Sequence, residues 1–253
     1  MSFTYAISTL RWKTPNLEQM LATLHEHGWD GWESRQSLDW LGSSARVKGI
    51  CDSIGVQVAA IVGANVDSVD PTDQSHEINR RRIEFASDLE CGIFVAKGPK
   101  RYDRETTEED LDQMAEIYEG MAVYAEPLGV TVVYHPHRGH VVDTKEEWQR
   151  FIPKLDVCKL CMDMSHSVFW DWDPVEAAVH FKDIIKYVHL HDHRPDGFSL
   201  EIGDAMMCDF PKFLKSLEDL GYEGWITACP GRIERDESEK IARNRAYLRS
   251  IGY

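Results

Sequence analysis

Positive charge is scarce in this chain. Among its 253 residues, 28 Lys and Arg face 43 Asp and Glu, for a formal net charge of -15 at pH 7. Such acidity repels phosphate backbones and argues against broad nucleic-acid binding, a local basic patch aside. Long apolar runs are also missing. None approaches the ~18 residues of a membrane span, so no transmembrane segment is expected. The opening stretch MSFTYAISTLRWKTPN has no basic region followed by an apolar core and a small-residue cleavage site. The six cysteines (Cys51, Cys91, Cys158, Cys161, Cys208 and Cys229) are scattered, unlike a compact disulfide framework. A cytoplasmic, reduced protein is the expectation. No glycine-rich dinucleotide fingerprint follows the first strand candidate, and no linker, low-complexity tract or long charge run divides the chain. One domain over residues 1–253 is therefore expected.

What is present has a clear rhythm. Hydrophobic residues make up 43% and charged residues 28%, enough apolar surface for a sizeable core. Short β-branched or aromatic runs alternate with longer amphipathic stretches about eight times. The strand candidates are TYAISTL from Thr4, GWESRQ from Gly31, VQVAAIVG from Val56, IFVAKG from Ile93, VTVVYHPH from Val130, VCKLCMDM from Val157, IKYVHLHDH from Ile185 and GWITAC from Gly224. Between them, NLEQMLATLHEHG, TTEEDLDQMAEIYEGMAVYAEPLG and DFPKFLKSLEDLG have helical spacing, with Asn, Thr or Asp openings and closures on Gly28, Gly129 or Gly221. Strand–helix alternation with short connections predicts a parallel sheet with right-handed crossovers. Eight such units in this length predict an α/β fold of the (β/α)8 TIM-barrel type rather than an open sheet.

In such a barrel, chemistry gathers where strands end and βα loops begin, and inward-facing residues come two apart. The late strands end in Tyr134-His135-Pro136-His137-Arg138-Gly139-His140, Asp163-Met164-Ser165-His166, His189-Leu190-His191-Asp192-His193 and Ala228-Cys229-Pro230-Gly231. Eight of the 11 histidines fall between His135 and His193. A lone strand-end histidine is most often a hydrogen-bonded structural residue. Histidines and an aspartate at the ends of three consecutive strands instead converge on one mouth, as ligands suited to divalent Mn, Co, Fe or Zn.

These residues resemble the xylose isomerase-like TIM-barrel superfamily, which includes sugar isomerases, ketose 3-epimerases, inosose dehydratase and endonuclease IV. The likeness spans nearly the whole chain and is carried by HGWDGWES, by Asp163-x-x-His166 followed by WDP, by KYVHLHDH and by GYEGWITAC. The segment YHPHRGHVVDT is particularly similar to inosose dehydratase-like members. The resemblance implies one divalent metal held by Glu, Asp, His and Glu from strands five to eight. Asp163 then matches the aspartate, His166 the histidine that contacts substrate, and His189 the strand-seven ligand, in a His-x-x-acid pattern ending at Asp192. Both glutamates are replaced, by His135 and Cys229, which makes the implied set softer and less anionic. Glu201, after strand seven, could supply a carboxylate.

The function expected is a metal-assisted isomerase, epimerase or dehydratase acting on a keto-sugar, keto-polyol or cyclitol by proton abstraction beside a carbonyl. Asp163, His189, His135 and Cys229 are the candidate metal ligands, and His135, His137 or His191 the candidate base, each with an intrinsic pKa of ~6.5. Glu33, Lys97, His166, Trp170 and Arg194 are candidate substrate contacts; Glu33, Arg35 and Lys97 could equally form an ion-pair layer at the barrel mouth. Trp170 and Trp172 could wall a sugar-sized pocket or cap the core. Cys158 and Cys161 have redox spacing, but on a strand their sulfurs point to opposite faces. The alternatives are an endonuclease IV-type phosphodiesterase, which the net charge opposes, and a non-catalytic barrel acting as a binding or subunit protein. Small-molecule substrates, no nucleic acid, no membrane and a homodimer by resemblance complete the expectations.

Overall fold

Alternating residues of each strand meet two different environments, and this closes the sheet. The computed structural model describes residues 3–10, 12–13, 16–66 and 73–253. Its strands are β1 (Thr4–Ser8), β2 (Gly31–Ser34), β3 (Gln57–Asn65), β4 (Ile93–Lys97), β5 (Thr131–His135), β6 (Lys159–Asp163), β7 (Ile185–Leu190), β8 (Asp192–His193), β9 (Ser199–Leu200) and β10 (Trp225–Ala228). β1 to β7 and β10 form a closed parallel barrel in the order β1-β10-β7-β6-β5-β4-β3-β2. All eight expected strands are there, and the expected (β/α)8 barrel is the fold.

Ala6, Ala59, Ala60, Val62, Val95, Val133, Cys161 and Tyr187 fill the barrel interior as one buried cluster. The intervening residues, among them Ile7, Trp32, Ile61, Phe94, Val132, Leu160 and Val188, join a second cluster under the helices. This period of two is the pleat of a strand buried on both faces. It also separates Cys158, in the outer cluster, from Cys161, in the inner one.

The outer layer consists of α1 (Leu17–His27), α2 (Leu38–Leu41), α3 (Ser44–Ile54), α4 (Gln74–Asp88), α5 (Glu108–Ala125), α6 (Lys145–Phe151), α7 (Met164–Phe169), α8 (Pro174–Phe181), α9 (Phe210–Asp219) and α10 (Glu237–Ser250). Their starts follow capping chemistry: Asn16 accepts from the Gln19 N–H, and Thr107 with Asp110 forms a reciprocal capping box. Gly28, at φ 77°, closes α1 in the left-handed conformation that glycine adopts without cost. Among the described residues, no helix is long and apolar enough to cross a membrane.

One expected strand is broken. IKYVHLHDH reads as continuous, yet β7 stops at Leu190, and Asp192–His193 turns aside to pair antiparallel with Ser199–Leu200. The cause is the buried Asp192 carboxylate, which accepts from the backbone N–H groups of His193 (2.9 Å), Ala205 (3.0 Å), Met206 (2.7 Å) and Met207 (3.2 Å). Asp192 thus ties a loop down and swings His191 and His193 out of the sheet toward the barrel mouth.

Candidate active site

Asp163 ends β6 and also starts α7, so its two carboxylate oxygens face different tasks. Oδ1 accepts from the Ser165 N–H at 3.0 Å as the helix cap. Oδ2 faces three imidazoles: His135 Nε2 at 3.4 Å, His191 Nε2 at 3.4 Å and His166 Nε2 at 3.6 Å. Donors about 2.0–2.1 Å from a tetrahedral ion lie about 3.4 Å from one another, the distance at which Oδ2 stands from His135 and His191, and His135, Asp163 and His166 offer donor atoms all within 4.8 Å of one another.

The protonation states bear on ligation. His191 Nδ1 lies 3.0 Å from the Asp192 carbonyl oxygen, which can only accept, so Nδ1 carries a proton and Nε2 faces Asp163; burial lowers the His191 pKa, but Asp163 outweighs it and raises it, so an ion binding here would displace a proton from Nε2. Burial pushes His135 and His166 well below the usual imidazole range, which keeps them neutral at pH 7. Burial opposes the charge of Asp163, but the facing histidines, His191 first, outweigh it and hold the carboxyl well below its usual value. Neither ring nitrogen of His135, nor Nε2 of His166, has a hydrogen-bond partner, although both side chains are buried. Unsatisfied buried nitrogens cost roughly 1–3 kcal/mol each, a cost that a cation would remove. The donor set of His135, Asp163 and His166 is nitrogen and oxygen, and it fits a zinc-like divalent ion; Cys229 lines the same cavity.

His189 stands elsewhere. Its backbone is in register with Asp163, but its Nε2 is 2.6 Å from Glu33 Oε2, and both side chains are fully buried. Glu33 Oε1 also accepts from Ser8 Oγ at 2.7 Å and from Arg35 Nε at 2.9 Å. Burial opposes the Glu33 charge, yet His189 and Arg35 hold its carboxyl well below the carboxylate range. This is the ion-pair layer, lying beneath the floor of the mouth. His135, Cys161 and His189 also offer donor atoms within 4.8 Å of one another. There Glu33 holds His189 through Nε2 and leaves its buried Nδ1 without a partner, while burial pushes the Cys161 thiol up to about 11. The strand-seven side chain that reaches Asp163 Oδ2 is His191, two residues beyond the position the resemblance implied, while His189 offers a donor atom beside His135 and Cys161.

Above the cluster lies a cavity of about 390 Å³. Lys97, His137, Cys229 and the cluster residues His135, His166 and His191 line it, as expected, together with Arg138, His140, His193, Phe169 and Arg232, which had not been singled out. His137 Nδ1 lies 2.7 Å from the Arg138 carbonyl oxygen, so its Nε2 is also a lone-pair acceptor. Burial lowers its pKa to about 2.

Several expected residues lie away from this wall. Trp170 donates from Nε1 to Asp143 Oδ1 at 2.8 Å, pinning the loop between β5 and α6. Trp172 is buried against Trp148 and Phe181 and caps the core, leaving Phe169 as the aromatic wall. Arg194 stacks on Phe198, 4.1 Å from its centroid, on the outer rim. Glu201 is buried too, but Asn244 Nδ2 donates to its Oε2 at 2.6 Å and Lys240 Nζ lies 3.7 Å from its Oε1. That carboxylate is committed to α10.

A sequence model of the xylose isomerase-like TIM barrel family matches residues 21–251. The chain belongs to this family. Among curated relatives of this xylose isomerase-like protein, an inosose dehydratase of Geobacillus kaustophilus is 26% identical over 92% of this chain and 84% of its own length. The solved structure of the IolI protein, with a bound zinc atom, superposes with a TM-score of 0.83 at 16% identity, covering 98% of both chains. A D-tagatose 3-epimerase-like protein gives 0.80 at 20% identity over 98% of this chain and 97% of its own.

Proposed function

We propose that this protein is a lyase that removes water from a polyhydroxylated cyclic ketone, beginning with loss of the proton beside the carbonyl. The observation that carries the reading is the convergence of His135, His166 and His191 on Asp163 Oδ2 beneath a cavity of about 390 Å³. A divalent ion held by Asp163, His135 and His191, with His166 or Cys229 completing the set, would act there as a Lewis acid toward a carbonyl.

His137 is the one expected base that does not face Asp163; its lowered pKa makes it a weak base, so the transfer relies on the acidity that the ion would give the carbon beside the carbonyl. Its Nδ1–H is spent on the Arg138 carbonyl, and its neutral Nε2 lone pair lines the cavity. The C–H electron pair passes into an enolate as Nε2 takes the proton. The enolate then expels the β-hydroxyl, which leaves as water with a proton from a cationic neighbour such as the Lys97 ammonium. One C–H and one C–O bond break, one C=C bond forms, and no redox partner is needed.

Dehydration is favoured over epimerisation by what the cavity lacks. The paired glutamates that the resemblance implies for an epimerase are missing, Asp163 being the sole carboxylate among the described lining residues. The name of the curated relative, an inosose dehydratase aligned over most of both chains, supports the same choice. Proton NMR of inosose incubated with the protein tests it. The expected result is disappearance of the substrate with loss of one water. A change of configuration without loss of water would replace the reading with epimerisation.

A further inference from the structure

The proposed cyclic-ketone chemistry does not by itself require a charged substrate, yet the cavity is built for one. The chain as a whole is acidic, at -15, but the cavity inverts this sign: Arg35, Lys97, Arg138 and Arg232 line it against the single carboxylate of Asp163. Arg35 is neutralised from below by Glu33, at 2.9 Å. Arg138 and Arg232 have no carboxylate within ion-pairing distance among the described residues.

The Arg138 guanidinium is held by its surroundings, and Arg232 is placed through its backbone. The Arg138 guanidinium lies over the Phe169 ring, 4.2 Å from its centroid, on one side. On the other it presses against Gly197, where an added Cβ would fall 1.3 Å from a guanidinium nitrogen. Gly197, at φ 76°, therefore leaves the slot that Arg138 occupies. The backbone N–H of Arg232 donates to the Ser199 carbonyl at 2.9 Å, and it follows Gly231, whose Cβ would meet the Leu200 backbone at 2.5–2.6 Å. Between the two, buried His193 leaves its Nε2 without a partner on the cavity wall. A planar, fixed and unpaired guanidinium matches the paired oxygens of a carboxylate or phosphate.

We infer that the substrate of this site is a polyhydroxy ketone bearing an anionic group, carboxylate or phosphate, which Arg138 and Arg232 hold at the rim while the carbonyl end reaches the Asp163 cluster. This inference rests on the proposed function for the identity of the ketone, and on the arginines for the charge.

Calorimetric titration of the protein with three ketohexose probes tests it: D-fructose, 5-keto-D-gluconate and D-fructose 6-phosphate. Binding of at least one anionic ketose about 10- to 100-fold tighter than fructose is expected, the worth of a charge-assisted hydrogen bond. The tighter of the two anions identifies the group. Arg138→Gln and Arg232→Gln, both at the open rim and able to fold, should each erase most of that preference while moving fructose less than about threefold. Equal binding of the three probes, no binding by any of them, or variants that weaken all three alike would overturn the inference. Solvent-deuterium exchange in the same probes keeps the two proposals apart. Anion preference without exchange breaks the proton-abstraction reading alone, whereas equal exchange without preference breaks the charge inference alone.

Discussion

His189 and His191 are two residues apart and chemically identical, yet the structure gives them opposite work, and substitution separates them. His189→Ala would leave the fully buried Glu33 facing only Ser8 and Arg35. Removing one member of a buried hydrogen-bonded pair costs about 3–5 kcal/mol, because the other charge stays buried without it. For a chain of this size each kcal/mol lowers Tm by about 2–4 °C, so a drop of roughly 6–20 °C is expected. His189→Gln, whose amide can still donate to Glu33, should recover part of the loss. The double variant Glu33→Gln/His189→Ala should be less destabilised than the sum of the singles, by about 0.5–3 kcal/mol. His191→Ala should lower the metal-free Tm less than His189→Ala does, because Asp163 keeps the Ser165 N–H, His135 and His166 beside it, while abolishing ion binding. The assays are thermal denaturation by circular dichroism on metal-free protein, and elemental analysis after reloading. A His189→Ala variant with unchanged Tm and no bound ion would refute the division of labour.

Three further outcomes follow from the same contacts. Asp163→Asn should reduce bound zinc from one equivalent per chain to none, and chelation of the wild-type protein should lower its Tm, since an ion at about 1,000 times its Kd contributes about 4 kcal/mol. Glu147 accepts from both terminal nitrogens of Arg101 and from the Asp143 and Thr144 N–H groups; burial pushes its pKa up, but these donors bring it below the usual value. Its contribution is therefore complete above the unfolded carboxyl value of about 4.3 and lost as the pH falls from there through the lowered folded value, so the stability gap to Glu147→Gln, of about 1–3 kcal/mol at pH 7, should narrow steadily below about pH 4 in urea titrations. Trp170→Phe removes the bond to Asp143 that holds the Arg138–His140 loop; steady-state kinetics should show KM raised severalfold with kcat within about twofold.

The fold was legible because barrel strands announce themselves. Runs such as TVVYH and KLCMD are short, β-branched or apolar, and punctuated by capped helices, so their order and number follow from period and length. Asp163, His135 and His166 were legible for the same reason, since strand ends define the mouth. The choice between His189 and His191 was not, because it depends on how far each strand runs past its neighbour and on the Asp192 turn that ends β7 early. Glu33 sits at a strand end as well, but only three-dimensional packing shows that its oxygens are already taken by Ser8, Arg35 and His189. Arg138 and Arg232 lie in loops, where no periodicity marks a direction. Gly139 and Gly231 beside them were the one hint that the backbone bends there.

Solvent-hydrogen exchange at the reacting carbon bears most directly on the proposed chemistry. Inosose incubated with the protein in deuterium oxide should carry deuterium beside the carbonyl, in recovered substrate or in its dehydrated product, and Asp163→Ala should carry none. Conversion without solvent deuterium in either species, or undiminished incorporation by Asp163→Ala, would contradict proton abstraction at this site.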